Sequence, residues 1–94
     1  MIRSFADVET QRVFQRLACR RFALELQRAA YRKLMLLDAA ESINDLRIPP
    51  GNPLEKLKGA RQGQHSIRIN EQWRICFVWR SGDAHEVEIS DYHQ

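Results

Sequence analysis

Between residues 64 and 90 the chain alternates apolar and polar side chains in three successive runs, and a period of two is the signature of half-buried β-strands. Gln64 to Ile69 sets His65, Ile67 and Ile69 against Gln64, Ser66 and Arg68. Trp73 to Arg80 sets Trp73, Ile75, Phe77 and Trp79 against Arg74, Cys76, Val78 and Arg80, and His85, Val87 and Ile89 then alternate with Glu86, Glu88 and Ser90. The separators Asn70-Glu71-Gln72 and Ser81-Gly82-Asp83 suit short hairpin turns, so the expected unit is an antiparallel meander. A sheet with one apolar face must be covered on that face. The stretch from about Phe22 to Ala40 supplies the cover, with Leu26, Ala30, Leu34 and Leu37 at helical spacing and Tyr31, Met35 and Leu36 widening the stripe.

Upstream, Ile2 to Phe5 reads as a short strand, and Asp7 is suited to cap a first helix carrying Val13, Phe14 and Leu17 and ending near Cys19 to Arg21. Ser42 to Asn52 reads as a crossover, because Ile48-Pro49-Pro50-Gly51-Asn52-Pro53 excludes a helix and most strand pairing. No repeat or Gly/Ser-rich linker divides the chain, so residues 1–94 are expected to form one α+β domain: an N-terminal strand and two helices packed on a twisted antiparallel sheet. The sequence shows no apolar run of membrane-spanning length and no signal peptide, which predicts a cytoplasmic protein with no membrane partner. Two cysteines and three histidines stand without ligand spacing, so neither a metal nor another cofactor is expected.

The formal charge of +3 is modest but unevenly spread. Arg16, Arg20, Arg21, Arg28, Arg32 and Lys33 face one acid, Glu25; Lys56, Lys58, Arg61, Arg68 and Arg74 face Glu71; the last dozen residues are acidic. Such clustering fits a protein that meets a polyanion, and fits solvated surface faces equally well.

The register follows from the requirement that apolar faces coincide across paired strands. Three-residue loops at both turns place Ile69 opposite Trp73, Ile67 opposite Ile75, Phe77 opposite Val87, Ile75 opposite Ile89 and His85 opposite Trp79. The same register places Arg68 across from Arg74 on the other face, Arg74 across from Ser90, and Tyr92 one step further along. Opposed arginines repel by roughly 0.2–1 kcal/mol, and a phosphodiester between them would reverse the sign. The other possibility is that both splay into water or pair with Glu86, Glu88 or Asp91. Lys58 and Arg61 belong to a glycine-flanked basic stretch, Leu57 to Gly63, that can close over the same face. Tyr92 and His93 add a phenol and an imidazole, groups that move protons or stack on a base. His65, turned toward Phe77, and His85 are read as structural.

The run from Leu57 through Gly59, Arg61, Ser66-Ile67-Arg68-Ile69-Asn70 and Trp73-Arg74-Ile75 to Phe77 closely resembles the core of HigB-type toxins of the RelE/ParE superfamily, as does the ending Ser90-Asp91-Tyr92-His93. Met1 to Phe5 and Leu36 to Ala40 match that family too. The resemblance implies the toxin of a type II toxin–antitoxin system, an endoribonuclease that cleaves mRNA on the ribosome, with contacts to the 16S rRNA. It implies Lys58, Arg74, Tyr92 and His93 as catalytic; the basic residues Arg68, Arg61 and Lys56 are expected beside them as RNA-binding helpers. Where some HigB toxins carry a further active-site histidine, this chain has Glu55. The implied partner is a HigA-type helix-turn-helix antitoxin, through which alone operator DNA would be met. A gyrase inhibitor of ParE type and a noncatalytic RNA-binding module are the alternatives; Tyr92-His93 favours the nuclease.

Overall fold

A computed structural model describes residues 1–47 and 54–92. Helix α1 (Val8–Phe14) begins where Asp7 accepts the Thr10 amide at 2.6 Å, the expected cap. It stops at Phe14, short of the expected end near Cys19, because Arg16 takes a left-handed φ of 60° that a helix cannot continue through. Leu17 is consequently exposed and not part of a buried stripe. Helix α2 (Leu24–Ala39) buries Leu26, Ala30, Leu34 and Leu37, the four residues expected. Met35 and Leu36, expected to widen that stripe, lie exposed. A helix packing on one sheet buries a single stripe, and these two residues fall outside it.

Four strands, β1 (Leu54–Lys56), β2 (His65–Arg68), β3 (Trp73–Arg80) and β4 (Asp83–Asp91), form one antiparallel sheet in the order β1-β2-β3-β4. Strand β1 had no signal in the sequence. It pairs Leu54 with Ile67, Glu55 with Ser66 and Lys56 with His65. A short 3₁₀ turn, Ile43–Arg47, leads away from α2, and the proline run at 48–53 lies outside the described residues. The N-terminal segment lies parallel beside β4, as two isolated bridges, Ile2 with Ala84 and Phe5 with Val87, and not as a continuous strand.

The β2–β3 pairing has the expected register, with Ile67 opposite Ile75 and Arg68 opposite Arg74. Asn70 shapes that turn by accepting the amides of Gln72 and Trp73, each at 2.8 Å. The β3–β4 pairing departs from expectation. Near the sheet's far end Arg80 pairs with Asp83 and Trp79 with Ala84, leaving a two-residue turn of Ser81 (φ 54°) and Gly82 (φ 80°). Two positive φ values in succession give the hairpin a twist that matches its strands. His85 therefore lies opposite Val78 and not Trp79. The register slips between Val78 and Cys76, with Glu86 at φ 52°, and then returns to the expected pairs of Ile75 with Ile89 and Arg74 with Ser90. This bulge lets Ala84 and Val87, three residues apart, both reach the core, where each is fully buried.

The core lies between α1, α2 and one face of the sheet: Val13, Leu26, Leu34 and Leu37 against Ile67, Ile75, Phe77, Val87 and Ile89. Thr10 is a polar member of it, and its hydroxyl accepts the Ile89 amide at 2.9 Å. Among the described residues no helix is long and apolar enough to cross a membrane.

Candidate active site

Alternation and register together define the outer face of the sheet. One row across it runs Glu55, Ser66, Cys76 and Glu88; the next runs Arg68, Arg74 and Ser90; Tyr92 follows β4 on that side. The expected opposition of two arginines is present, and so is what makes it tolerable. The guanidinium carbons of Arg68 and Arg74 stand 5.4 Å and 4.8 Å from the centre of the Tyr92 ring. Two cation–π contacts at about 0.5–1 kcal/mol each offset a like-charge cost of about 0.2–1 kcal/mol. Tyr92 is held in place by its own backbone, whose amide donates to the Gln72 carbonyl at 2.7 Å. Gln72 also donates from its side chain to Asp91 at 3.0 Å. The β2–β3 turn and the end of β4 are thereby fastened together beside the arginines.

The proximity of the Tyr92 phenol, followed by the carboxylates of Glu55 and Glu71, holds the Arg68 guanidinium above its ordinary pKa. That approach falls outside hydrogen-bond geometry, because the Tyr92 hydroxyl is buried without a hydrogen-bond partner. Arg74 Nε is buried and unpartnered too. Leaving such a group unsatisfied costs about 1–3 kcal/mol, so this side of the sheet carries a local cost at the Tyr92 phenol and the Arg74 Nε. Burial pushes the Cys76 thiol up, against the pull of Arg74 and Arg61, so it stays protonated at neutral pH.

The remaining predicted residues divide. Arg61 reaches the outer face but spends its donors within the protein: on Glu88 at 3.0 Å, Gln64 at 3.1 Å and Ser90 at 3.3 Å. Lys58 stands at the start of the 3₁₀ turn Gly59–Arg61, where its carbonyl accepts the Arg61 amide at 3.4 Å; it is exposed, and its side chain makes no hydrogen bond or ion pair among the described residues. It lines a groove of about 670 Å³ with Lys56, Leu57, Gln62 and His65. Lys56 is not brought together with the arginines: its register opposite His65, which itself opposes Phe77, sets it on the helix side of the sheet, exposed and in the groove with Lys58. His93 lies outside the described residues. Glu88 takes the outer-face place that alternation gave it, but its pairing with Arg61 spans 27 positions and had no local signal; Glu55 joins the same face unmarked by periodicity, because β1 is three residues long. No group of His, Cys, Asp and Glu that could hold a metal occurs among the described residues.

Comparison with known proteins agrees with this architecture. Residues 3–93 match the HigB-like toxin family, described as the RelE-like toxin of the type II toxin–antitoxin system HigB. The chain belongs to that family. It is 51% identical over 59 residues to Toxin HigB-1 of Vibrio cholerae, covering 63% of this chain and 62% of that protein. It is 38% identical over 61 residues to Endoribonuclease HigB of Proteus vulgaris, covering 65% of each. The matched stretches thus span just under two thirds of these relatives' own length.

Proposed function

We propose that this protein is the toxin of a type II toxin–antitoxin pair and acts as an endoribonuclease that cleaves mRNA on the ribosome. The observation that carries the reading is the pair Arg68 and Arg74, opposed on the outer face and both over the Tyr92 ring, beside a buried phenol and guanidinium Nε without partners. A phosphodiester supplies what this arrangement lacks: negative charge between two guanidiniums. The name Endoribonuclease HigB, carried by the Proteus relative, supports the same activity.

Chain cleavage without a metal requires three things. A base takes the proton of the 2′-hydroxyl, cations stabilise the crowded phosphate, and an acid protonates the leaving 5′-oxygen. The attacking 2′-oxygen forms a bond to phosphorus as the bond to the 5′-oxygen breaks, which leaves a cyclic phosphate and a free 5′-hydroxyl. Arg74 meets the developing charge, with Arg68 beside it and Lys58 on the adjoining loop. Tyr92 and His93 carry the proton transfers or stack on the neighbouring base. The whole of residues 1–94 is one toxin domain in this reading, cytoplasmic, neutralised by a HigA-type antitoxin and working without a cofactor.

The test is Arg74→Ala in a ribosome-supplemented cleavage assay. The rate should fall by at least about a hundredfold, the scale set by losing one preorganised donor to a transition-state oxyanion, with the unfolding transition retained. An unimpaired rate would overturn the assignment. Expression that leaves mRNA intact but provokes a DNA-damage response would favour gyrase inhibition instead.

A further inference from the structure

The loop between β1 and β2 is fastened to the outer face at one charged point. Three residues facing away from the core, Ser66, Cys76 and Ser90, are nonetheless buried to 5% exposure or less. Some part of the chain therefore covers that side of the sheet. The crossing is made by Arg61, the last residue of the 3₁₀ turn that Lys58 precedes. Its guanidinium leaves the β1–β2 connection and ends on β4, bonded to the Glu88 carboxylate and the Ser90 hydroxyl, with Gln64 steadying it from its own loop. Glycines in left-handed conformation stand on either side of Arg61, Gly59 at φ 67° and Gly63 at φ 92°. Such glycines set the shape of the turn but supply no side chain to anchor it.

We infer that Arg61 is a positioning residue, and that its ion pair with Glu88 fastens the Lys58-bearing loop over the sheet and neutralises the carboxylate that flanks the arginine row at its β4 end. The inference rests on the nuclease reading for its consequence in catalysis, but the fastening itself does not depend on that reading. Two observations favour positioning over direct RNA contact. Arg61 donates to Glu88, Gln64 and Ser90, and its Glu88 pair is half-buried, so reaching a phosphate would mean abandoning these bonds. Glu88 stands one row from Arg74 and one residue pair from Ser90. Without Arg61, a bare carboxylate would face an incoming phosphodiester and repel it. Removing Arg61 therefore does two kinds of harm: it loosens Lys58 and it exposes Glu88.

The experiment compares wild type with Arg61→Ala, Arg61→Lys, Glu88→Ala and the Arg61→Ala/Glu88→Ala pair, all as the full chain. Rates of cleavage are measured along with the salt dependence of RNA binding and amide hydrogen exchange over residues 57–64. Each single alanine variant should lower kcat about tenfold and speed exchange in the loop about tenfold. The double variant should be no worse than Arg61→Ala alone, because the two residues act as one unit. Arg61→Lys, which keeps the charge opposite Glu88, should recover part of both, and the salt slope should stay as in wild type. The inference is overturned if Glu88→Ala leaves kcat and exchange unchanged while Arg61→Ala weakens RNA binding and reduces the salt slope by about one, the mark of a lost phosphate contact. It is also overturned if the two alanine effects simply add. Should wild type cleave no RNA at all, the nuclease reading fails, and the exchange data alone still decide whether Glu88 holds the loop.

Discussion

The two faces of the β-sheet are built from the same strands and follow opposite rules. On the helix side Ile67, Ile75, Phe77 and Val87 are fully excluded from solvent, and every one finds apolar neighbours. On the outer side two arginines oppose each other across β2 and β3, and a buried phenol and a buried guanidinium Nε go without hydrogen bonds. The first face holds the molecule together. The second tolerates local cost, offset in part by the Tyr92 ring, and in the function proposed above that cost is what an RNA phosphate would relieve. Since successive residues on a strand point to opposite faces, adjacent substitutions should separate stability from chemistry.

The largest effect is expected from Phe77→Ala. It should lower the free energy of unfolding by about 3–5 kcal/mol, read as an earlier urea midpoint, with activity lost only in proportion to the unfolded fraction. A fall in activity at full stability would mean that the helix side reaches the chemistry after all. Arg68→Ala should do the reverse. Removing one opposed charge relieves repulsion while removing one cation–π contact, so stability should stay within about 1 kcal/mol of wild type, whereas RNA binding weakens and its salt slope drops by about one. A large loss of stability would show the arginine pair to be structural.

The smallest effect concerns His65, at the margin where β1 ends and near the basic loop. Its ring stacks on Phe77 at 6.0 Å, and Nδ1 is buried without a partner. Burial first, then Lys56 and Arg47, holds its pKa below the ordinary 6.5. The folded chain therefore binds fewer protons than the unfolded one in this range. The stability that neutral His65 contributes is whole above the unfolded pKa and is lost as pH falls through the lowered folded value. Between about pH 7 and pH 5 the melting temperature of wild type should fall more steeply than that of His65→Phe. Parallel curves would show that His65 titrates as it does in the unfolded chain.

Much of this arrangement is legible in one dimension because it depends on period and sign. The stripe of Leu26, Ala30, Leu34 and Leu37 and the alternation of Ile67, Ile75 and Phe77 state which faces are buried. Asn70 states where β2 turns into β3, and from that turn the opposition of Arg68 and Arg74 follows by counting. The same counting carries Tyr92 to the arginine side, and the structure puts its ring within cation–π reach of both arginines. The two-residue turn at Ser81-Gly82 and the bulge near Glu86 were not legible, because each alone shifts the register by one and only together do they restore it.

What the amino-acid sequence by itself determined is therefore the pair of faces, the β2–β3 register and the family, since each is a property of local spacing or of motif. Only the tertiary structure decided that Lys56 faces the helices while Glu55 joins the arginine face, because a three-residue strand acquires its orientation from its neighbour. The same holds for Arg61, whose partner lies on another strand. A long, flexible cation can pair with any carboxylate within reach, and only the folded chain brings one acid close enough to choose.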